Sequence, residues 1–330
     1  MKFSGRFLIY MMIVILFAAG RSSMAQTAKP ARPKAGLAAI QKKYGLDPKS
    51  SLVSRLTTTP AYVMDIFRNA GMSPTEHQVT KDESRILSEA IAVLPPLHQR
   101  VLKQHLKSIS FVDNMPNTAI TAPVTKEKET KLFHIAFRAG ILHQTISEWV
   151  TEKERNCYTK GDSAMSVSIQ AGLMSALTYV LLHEGTHVVD GALGLLNTDT
   201  IAGRPVPNPF RAGFSKNIWS DIGTHIWPFP DSLAAKSIFR PGGRRFALSE
   251  AEQVYKALSQ TPFVSLYGSA SWHEDLAELL TIYHLTKMHG QPFQAIVKKN
   301  GNEVFRFEPI SSPAVERRFV QLDRFYRKAG

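Results

Sequence analysis

Two histidines four residues apart, with a glutamate directly after the first, stand in the stretch "TYVLLHEGTHVVDG" from Thr178 to Gly191. On an α-helix His183 and His187 lie one turn apart on one face, so their imidazoles can share one metal ion. Glu184 stands beside them, where its carboxylate can take a proton from water. A zinc ion held this way needs a third protein ligand, which the chain must supply from elsewhere. The flanking residues point to an interior site. "SIQAGLMSALTYVLLHEGTHVVDGALGL", from Ser168 to Leu195, is apolar nearly all round, as a buried helix is. Ionisable groups in its middle must be paired or bound. Gly191 and Gly194 can end it.

The third ligand is not on the same helix in the metzincin manner. That pattern requires glycine and histidine at the third and sixth positions after His187, which here are Asp190 and Leu193. The best source is "VSLYGSASWHEDLAELL", where Glu274 and Glu278 fall one turn apart on one face of an expected helix. Like charges so placed repel. A cation reconciles them if Glu274 ligates it and Glu278 accepts a hydrogen bond from a ligand histidine. Which glutamate takes which part is open at this level, and His273 and His284 are weaker alternatives. His225, in "DIGTHIWPFP", reads as a wall or substrate contact. Asp190 falls on the same helix side as the two histidines and is assigned to orienting a histidine, with a helix-terminal ion pair as the alternative.

These passages resemble gluzincin-type zinc peptidases, and among them the catalytic domain of anthrax lethal factor and its relatives. "HEGTHVVD" is similar to that family's HExxHxVD helix. "VSLYGSASWHEDLAE" looks like its second motif, a tyrosine followed seven residues later by the first glutamate of an ExxxE helix. The resemblance implies His183, His187 and Glu274 as ligands of one Zn2+ per chain and Glu184 as general base. It also implies Tyr267 beside the reacting carbonyl and Glu278 behind a ligand histidine. It covers about Ala164 to Met288. The separation of His187 from Glu274 is longer here than in the lethal-factor domain, with a Pro- and Gly-rich loop occupying much of it. The expectation is a metallopeptidase hydrolysing peptide bonds in peptides or proteins. A zinc-stabilised binding or envelope-maintenance protein and a cell-wall peptide amidase are the alternatives.

The elements that must carry these residues follow from periodicity. "LAAIQKKYGL", "SRILSEAIAVL" and "PLHQRVLKQHL" make the first hundred residues mostly helical. Between Ile109 and Leu142, "SISFVD", "TAITAPV" and "LFHIAFRAGIL" read as strands of a small sheet. "TISEWVTEKER" returns to helix. After the metal-type helix comes a Pro- and Gly-rich loop over 197–217, then helices at "LSEAEQVYKAL" and "HEDLAELLTIYHLTKM". A hairpin turns at Asn300-Gly301, and a closing helix starts at Ser312-Pro313. The fold class expected is α+β, predominantly helical, with a small β-sheet and an active-site helix; the resemblance implies a zincin-like metallopeptidase fold.

Lys2 and Arg6, the apolar run "FLIYMMIVILFAAG" and the small residues "SMA" read as an export signal over 1–25, too short for a spanning helix. A flexible lead-in is expected over 26–36, an N-terminal helical region over 37–107 and a catalytic domain over 108–330. The mature chain is expected to be periplasmic or secreted, without a stable membrane span. The formal charge of +13 falls to about +10 once Lys2, Arg6 and Arg21 are lost. A basic exported protein is drawn to anionic envelope surfaces. No nucleic-acid motif appears and the basic residues are scattered, so nucleic acid is not an expected partner. Cys157 is the single cysteine, so no intramolecular disulfide can form and stability rests on packing.

Overall fold

The computed structural model describes residues 36–125, 131–159, 161, 164–201, 204–226 and 233–327. The expected export segment, and the lead-in up to residue 35, lie outside the described residues. The architecture is α+β, with helix outweighing strand at about 48% against 19% of the described residues, and the strands form small sheets. Among the described residues no helix is long and apolar enough to cross a membrane.

The chain forms two compact units, one from residues up to 78 with 103–138, the other from 79–102 with 139–330. The expected boundary at 107/108 therefore falls inside a strand, Leu106–Asp113. Elements are numbered along the chain. The first unit holds α1 (Leu37–Lys43), α2 (Ala61–Asn69), β1 (Thr75–Glu76), β2 (Leu106–Asp113), β3 (Ala119–Pro123) and β4 (Phe133–Arg138). Its sheet runs in the order β1-β2-β4-β3, with β2 and β4 parallel and the other pairs antiparallel. α2 supplies Val63, Met64 and Phe67 to a core completed by Val112, Ile120 and Ala136 of the strands. His134 on β4 is fully buried between the hydroxyls of Ser108, at 2.8 Å, and Ser110, at 3.0 Å. Burial pushes this imidazole down to about 4, so it stays neutral as its hydroxyl partners allow.

The second unit carries the metal-type residues. It contains α3 (Lys81–Ala92), the first turns of α4 (Pro96–His105), α5 (Ile146–Arg155), β5 (Met165–Gln170) and α6 (Ala176–Leu193). Then come the β6–β7 hairpin (Thr198–Ile201, Arg204–Pro207), α7 (Pro209–Phe214), α8 (Ala251–Ser259) and α9 (Trp272–Tyr283). The strands β8 (Gln294–Lys299) and β9 (Asn302–Phe307) and the short α10 (Pro313–Glu316) and α11 (Asp323–Tyr326) complete it. β5, β8 and β9 form an antiparallel sheet in that order, in which β8 and β9 are a hairpin and β5 joins from far along the chain. Asn300 and Gly301 both adopt positive φ, 50° and 80°, as a tight two-residue hairpin turn requires.

α6 packs against α3, α5 and α9. Every residue from Ala176 to Asp190 is buried, which is why the stretch shows almost no polar face. The helix begins later than the apolar run suggests. Val167 and Ile169 alternate with exposed or half-exposed neighbours as β5, and Gly172, at φ 82°, turns the chain before Ser175 caps α6. The Pro- and Gly-rich 197–217 segment is not bare loop but carries the β6–β7 hairpin and α7. The closing helix is broken into α10, a 3-10 turn at Phe319–Leu322 and α11, and the interruption brackets the buried side chain of Arg318.

Gly194 ends α6 at φ 62°, and a Cβ there would stand 3.0 Å from the Asn197 amide nitrogen. Gly194→Ala should cost about 1–2 kcal/mol, since an L side chain is strained in the left-handed region. A lowered denaturant midpoint with an unchanged slope would show this; an unchanged midpoint would mean that the turn refolds at no cost.

Candidate metal centre

α6 and α9 bring together the residues that the two motifs supply. His183 Nε2 lies 3.0 Å from Glu274 Oε2 and 3.2 Å from His187 Nε2, and His187 Nε2 lies 3.5 Å from Glu274 Oε2. Donor atoms bonded to a small tetrahedral ion at about 2.0–2.1 Å stand about 3.3 Å apart. The triangle is therefore already the size such an ion needs, and all three residues are buried. Two imidazoles and one carboxylate suit a divalent transition metal and leave coordination positions open to water or a substrate atom.

Local structure places Glu274. Ser271 caps α9, its hydroxyl accepting from the Glu274 backbone N–H at 3.3 Å, so the carboxylate sits in the first helical turn, where the helix dipole favours negative charge. One turn on, Glu278 points at the same histidine from behind. Its Oε1 lies 3.0 Å from His183 Nδ1, off the line of a good hydrogen bond, and 3.4 Å from Lys153 Nζ. Its Oε2 accepts from the Ser265 hydroxyl at 2.6 Å. Burial by itself would raise the Glu278 carboxyl, but Lys153, His183 and Ser265 together hold it down at about 2. Glu274 follows the same logic. Burial opposes its charge, yet His187 and His183 keep it well below the usual carboxylate range. Burial likewise disfavours a charged His183, but the carboxylates of Glu274 and Glu278 on its two nitrogens push it up to about 10.

Glu184 is buried one residue along α6. Tyr267, in the turn Tyr267–Ser269 before α9, stacks beside the His183 ring with centroids 5.8 Å apart. Burial, then the charges of Glu274 and Glu184, hold its hydroxyl well above the ordinary phenol range, so it is a donor at neutral pH. The turn is anchored by Arg240 Nη1, which donates to the Ser269 carbonyl at 2.6 Å, and by the Gly268 N–H, which donates to Ser265 Oγ at 2.9 Å.

Asp190 orients a histidine outside the triangle. Its Oδ2 meets His273 Nδ1 at 2.6 Å and its Oδ1 accepts from the Leu196 N–H at 2.8 Å. It therefore orients His273 and ties down the chain after α6, and it meets neither His183 nor His187. The backbone explains this: Asp190 is in the last turn, where the donors within reach are the Leu196 N–H of the exit loop and His273 of α9. His284 contacts the Tyr326 hydroxyl and the Val93 carbonyl, and His225 packs between Trp219 and Phe263. Neither joins the triangle, which among the described residues is the one group of three His, Cys, Asp or Glu side chains arranged to hold an ion.

Three supports escape a reading of motifs. Lys153 on α5 places its ammonium 4.2 Å from the Tyr267 ring centre while it pairs with Glu278. Asp275, fully buried beside Glu274, is clamped by Arg318 through two bonds of 2.9 and 2.6 Å and accepts from Trp219 Nε1 at 2.7 Å. Gly185, inside the HExxH stretch, lies where a Cβ would come within 3.1 Å of the buried His98 ring, so α6 approaches α4 closely. In "TISEWVTEKER" Lys153 is one charge among several, and no local spacing marks it.

No family model matches the sequence, and neither a curated protein nor a solved structure matches the chain.

Metal uptake should release protons. A divalent ion needs a neutral imidazole, and His183, pushed up to about 10, carries its proton through the neutral range when no ion is present. Binding at pH 7 should expel about one proton from it, and affinity should rise with pH toward 10. Calorimetric titration in buffers of different ionisation heat reads this directly, and identical heats in every buffer would contradict it. Separately, Arg318→Leu leaves Asp275 buried without its cation, and stability should fall by about 3–5 kcal/mol, measured by urea unfolding.

Proposed function

We propose that this protein is an exported zinc-dependent metallopeptidase of the gluzincin type, with a zincin-like fold around α6 and α9. The observation that carries the proposal is the His183, His187 and Glu274 triangle, whose edges of 3.2, 3.0 and 3.5 Å fit a tetrahedral ion. Buried Glu184 and Tyr267 lie beside it. A structural zinc would have four closed protein ligands, whereas this set leaves an open position.

When bound there, zinc supplies Lewis acidity that activates water and polarises a carbonyl. Glu184 takes the proton from the attacking water and delivers it to the leaving nitrogen, so one carboxylate serves as base and then as acid. The Tyr267 hydroxyl, kept protonated by its neighbours, donates a hydrogen bond to the carbonyl oxygen as negative charge develops on it. Lys153, against the face of that ring and paired with Glu278, holds both in place. Glu278 in turn sets a carboxylate against the far side of the His183 ring. Peptide bonds in peptides or proteins are the substrate class that this donor set serves, and the basic chain suits work at an anionic envelope surface.

Glu184→Gln should lower peptide cleavage by about 10²- to 10⁴-fold while retaining the metal. Glu274→Ala should lose the metal itself, read as zinc per chain after dialysis. A Glu184→Gln protein that keeps full biological effect would replace the peptidase reading with that of a zinc-stabilised binding protein.

A further inference from the structure

A second histidine pair lies at the far end of the helix that carries Glu274. α9 continues into a π turn, His284–Met288, and its wider i to i+5 geometry brings His289 back over His284. Such turns are rare and cluster at functional sites. The two Nε2 atoms stand 3.0 Å apart, with ring centroids at 4.6 Å and planes at 67°. In the candidate metal centre the corresponding figures for His183 and His187 are 3.2 Å, 4.9 Å and 80°. One molecule thus presents two edge-on imidazole pairs of nearly the same geometry.

A third donor atom joins the second pair. The carbonyl oxygen of Val93, the residue that closes α3, lies 2.6 Å from His284 Nε2. A ring nitrogen and a carbonyl oxygen thus both lie within 3.0 Å of His284 Nε2. A neutral imidazole nitrogen carries at most one hydrogen, and a single N–H on His284 Nε2 cannot serve both the Val93 oxygen and the His289 nitrogen in good geometry. A cation bound by His284 Nε2 and shared with its two neighbours would remove that conflict. The remaining nitrogen, His284 Nδ1, lies 3.0 Å from the Tyr326 hydroxyl. This is the outer hydrogen bond that fixes the tautomer of a ligating histidine. His284 is buried and His289 is only partly so, which leaves one side open to water ligands.

We infer that His284, His289 and the Val93 carbonyl form a second binding site for a divalent transition metal of the zinc class, with Tyr326 orienting His284. Imidazole donors select such ions over Mg2+ and Ca2+, which prefer all-oxygen sets. On binding, the hydrogen of His284 moves from Nε2 to Nδ1 and donates to Tyr326 Oη, so the imidazole stays neutral. The Val93 oxygen opens by some tenths of an ångström to reach the ~3.3 Å spacing of a tetrahedral set. The ion would join the end of α3, the π turn and α11, a tie among three segments of the same unit. Its donors share nothing with the His183 triangle, so the two sites stand or fall separately.

The test is zinc per chain on the intact protein, after equilibration with Zn2+ alone and dialysis. Two equivalents are expected, falling to one in His289→Gln and to one in His187→Ala, and to none when both are changed. Tyr326→Phe should weaken the second equivalent by about 10- to 100-fold, and it decides the matter if His289→Gln fails to fold. A parent that saturates at one equivalent and loses it in His187→Ala overturns the second site and leaves the first intact. Two equivalents that persist in His289→Gln overturn it as well. One equivalent lost in His289→Gln but kept in His187→Ala supports this site and overturns the metal assignment of the first. No uptake at all overturns both.

Discussion

Two glutamates and two histidines are buried where α6 meets α9, and the structure around them must compensate that charge. A carboxylate taken out of water costs several kcal/mol unless cations and donors replace its hydration. Glu278 is met by Lys153, Ser265 and His183, and Glu274 by both histidines and the start of its own helix. The partners come from several elements, so the site is assembled only when α5, the 265–271 turn, α6 and α9 are all in place. The same requirement explains the all-round burial of α6, since a solvent-facing edge would let water loosen the pairs.

The supports next to the site are arranged to resist movement. Asp275 follows Glu274 on α9 and faces the other way, into Arg318 and Trp219. This buried pair holds the rotation of α9 about its axis, and with it the direction of Glu274. Arg240 holds the carbonyls of Ser269 and Ala270, which fixes the turn that carries Tyr267. Gly185 lets the helix that carries His183 and His187 come close to His98 on α4, an approach that a larger residue would oppose. Rigid placement of this kind is what the proposed hydrolytic function requires, because a small misplacement of a catalytic group costs rate steeply.

Local signals in the chain were legible where neighbours along the sequence decide the outcome. The hairpin at Asn300-Gly301 follows from residues that tolerate positive φ, and the HExxH spacing places two imidazoles on one helix face whatever surrounds them. The ExxxE spacing does the same for Glu274 and Glu278. Legibility failed where a choice depended on distant partners. The run from Ser168 reads as helix because its residues are apolar or small, yet its first part pairs with β8 as a strand. The closing segment has helical periodicity, but it breaks around Arg318, whose partner Asp275 is 43 residues away. Asp190 sits on the histidine side of α6 by spacing, and still its carboxylate is drawn to His273 and the Leu196 N–H, donors that no helical wheel contains.

The sequence by itself determined which side chains could hold a metal ion, because ligand chemistry belongs to residue type and the spacing of four belongs to the helix. It also marked α6 as an interior helix, since a stretch without a polar face cannot remain in water. Residue spacing left open which of Glu274 and Glu278 completes the triangle, the family resemblance implied Glu274, and the tertiary structure brings Glu274 to both histidines. The first turn of α9 points Glu274 at both Nε2 atoms, while Glu278, one turn on, reaches Nδ1 on the far side of the ring. The recruitment of Lys153 and the meeting of His284, His289 and the Val93 carbonyl were decided at the same level. Each depends on where separate elements pack, and packing is a property of distances in space that spacing along a chain does not encode.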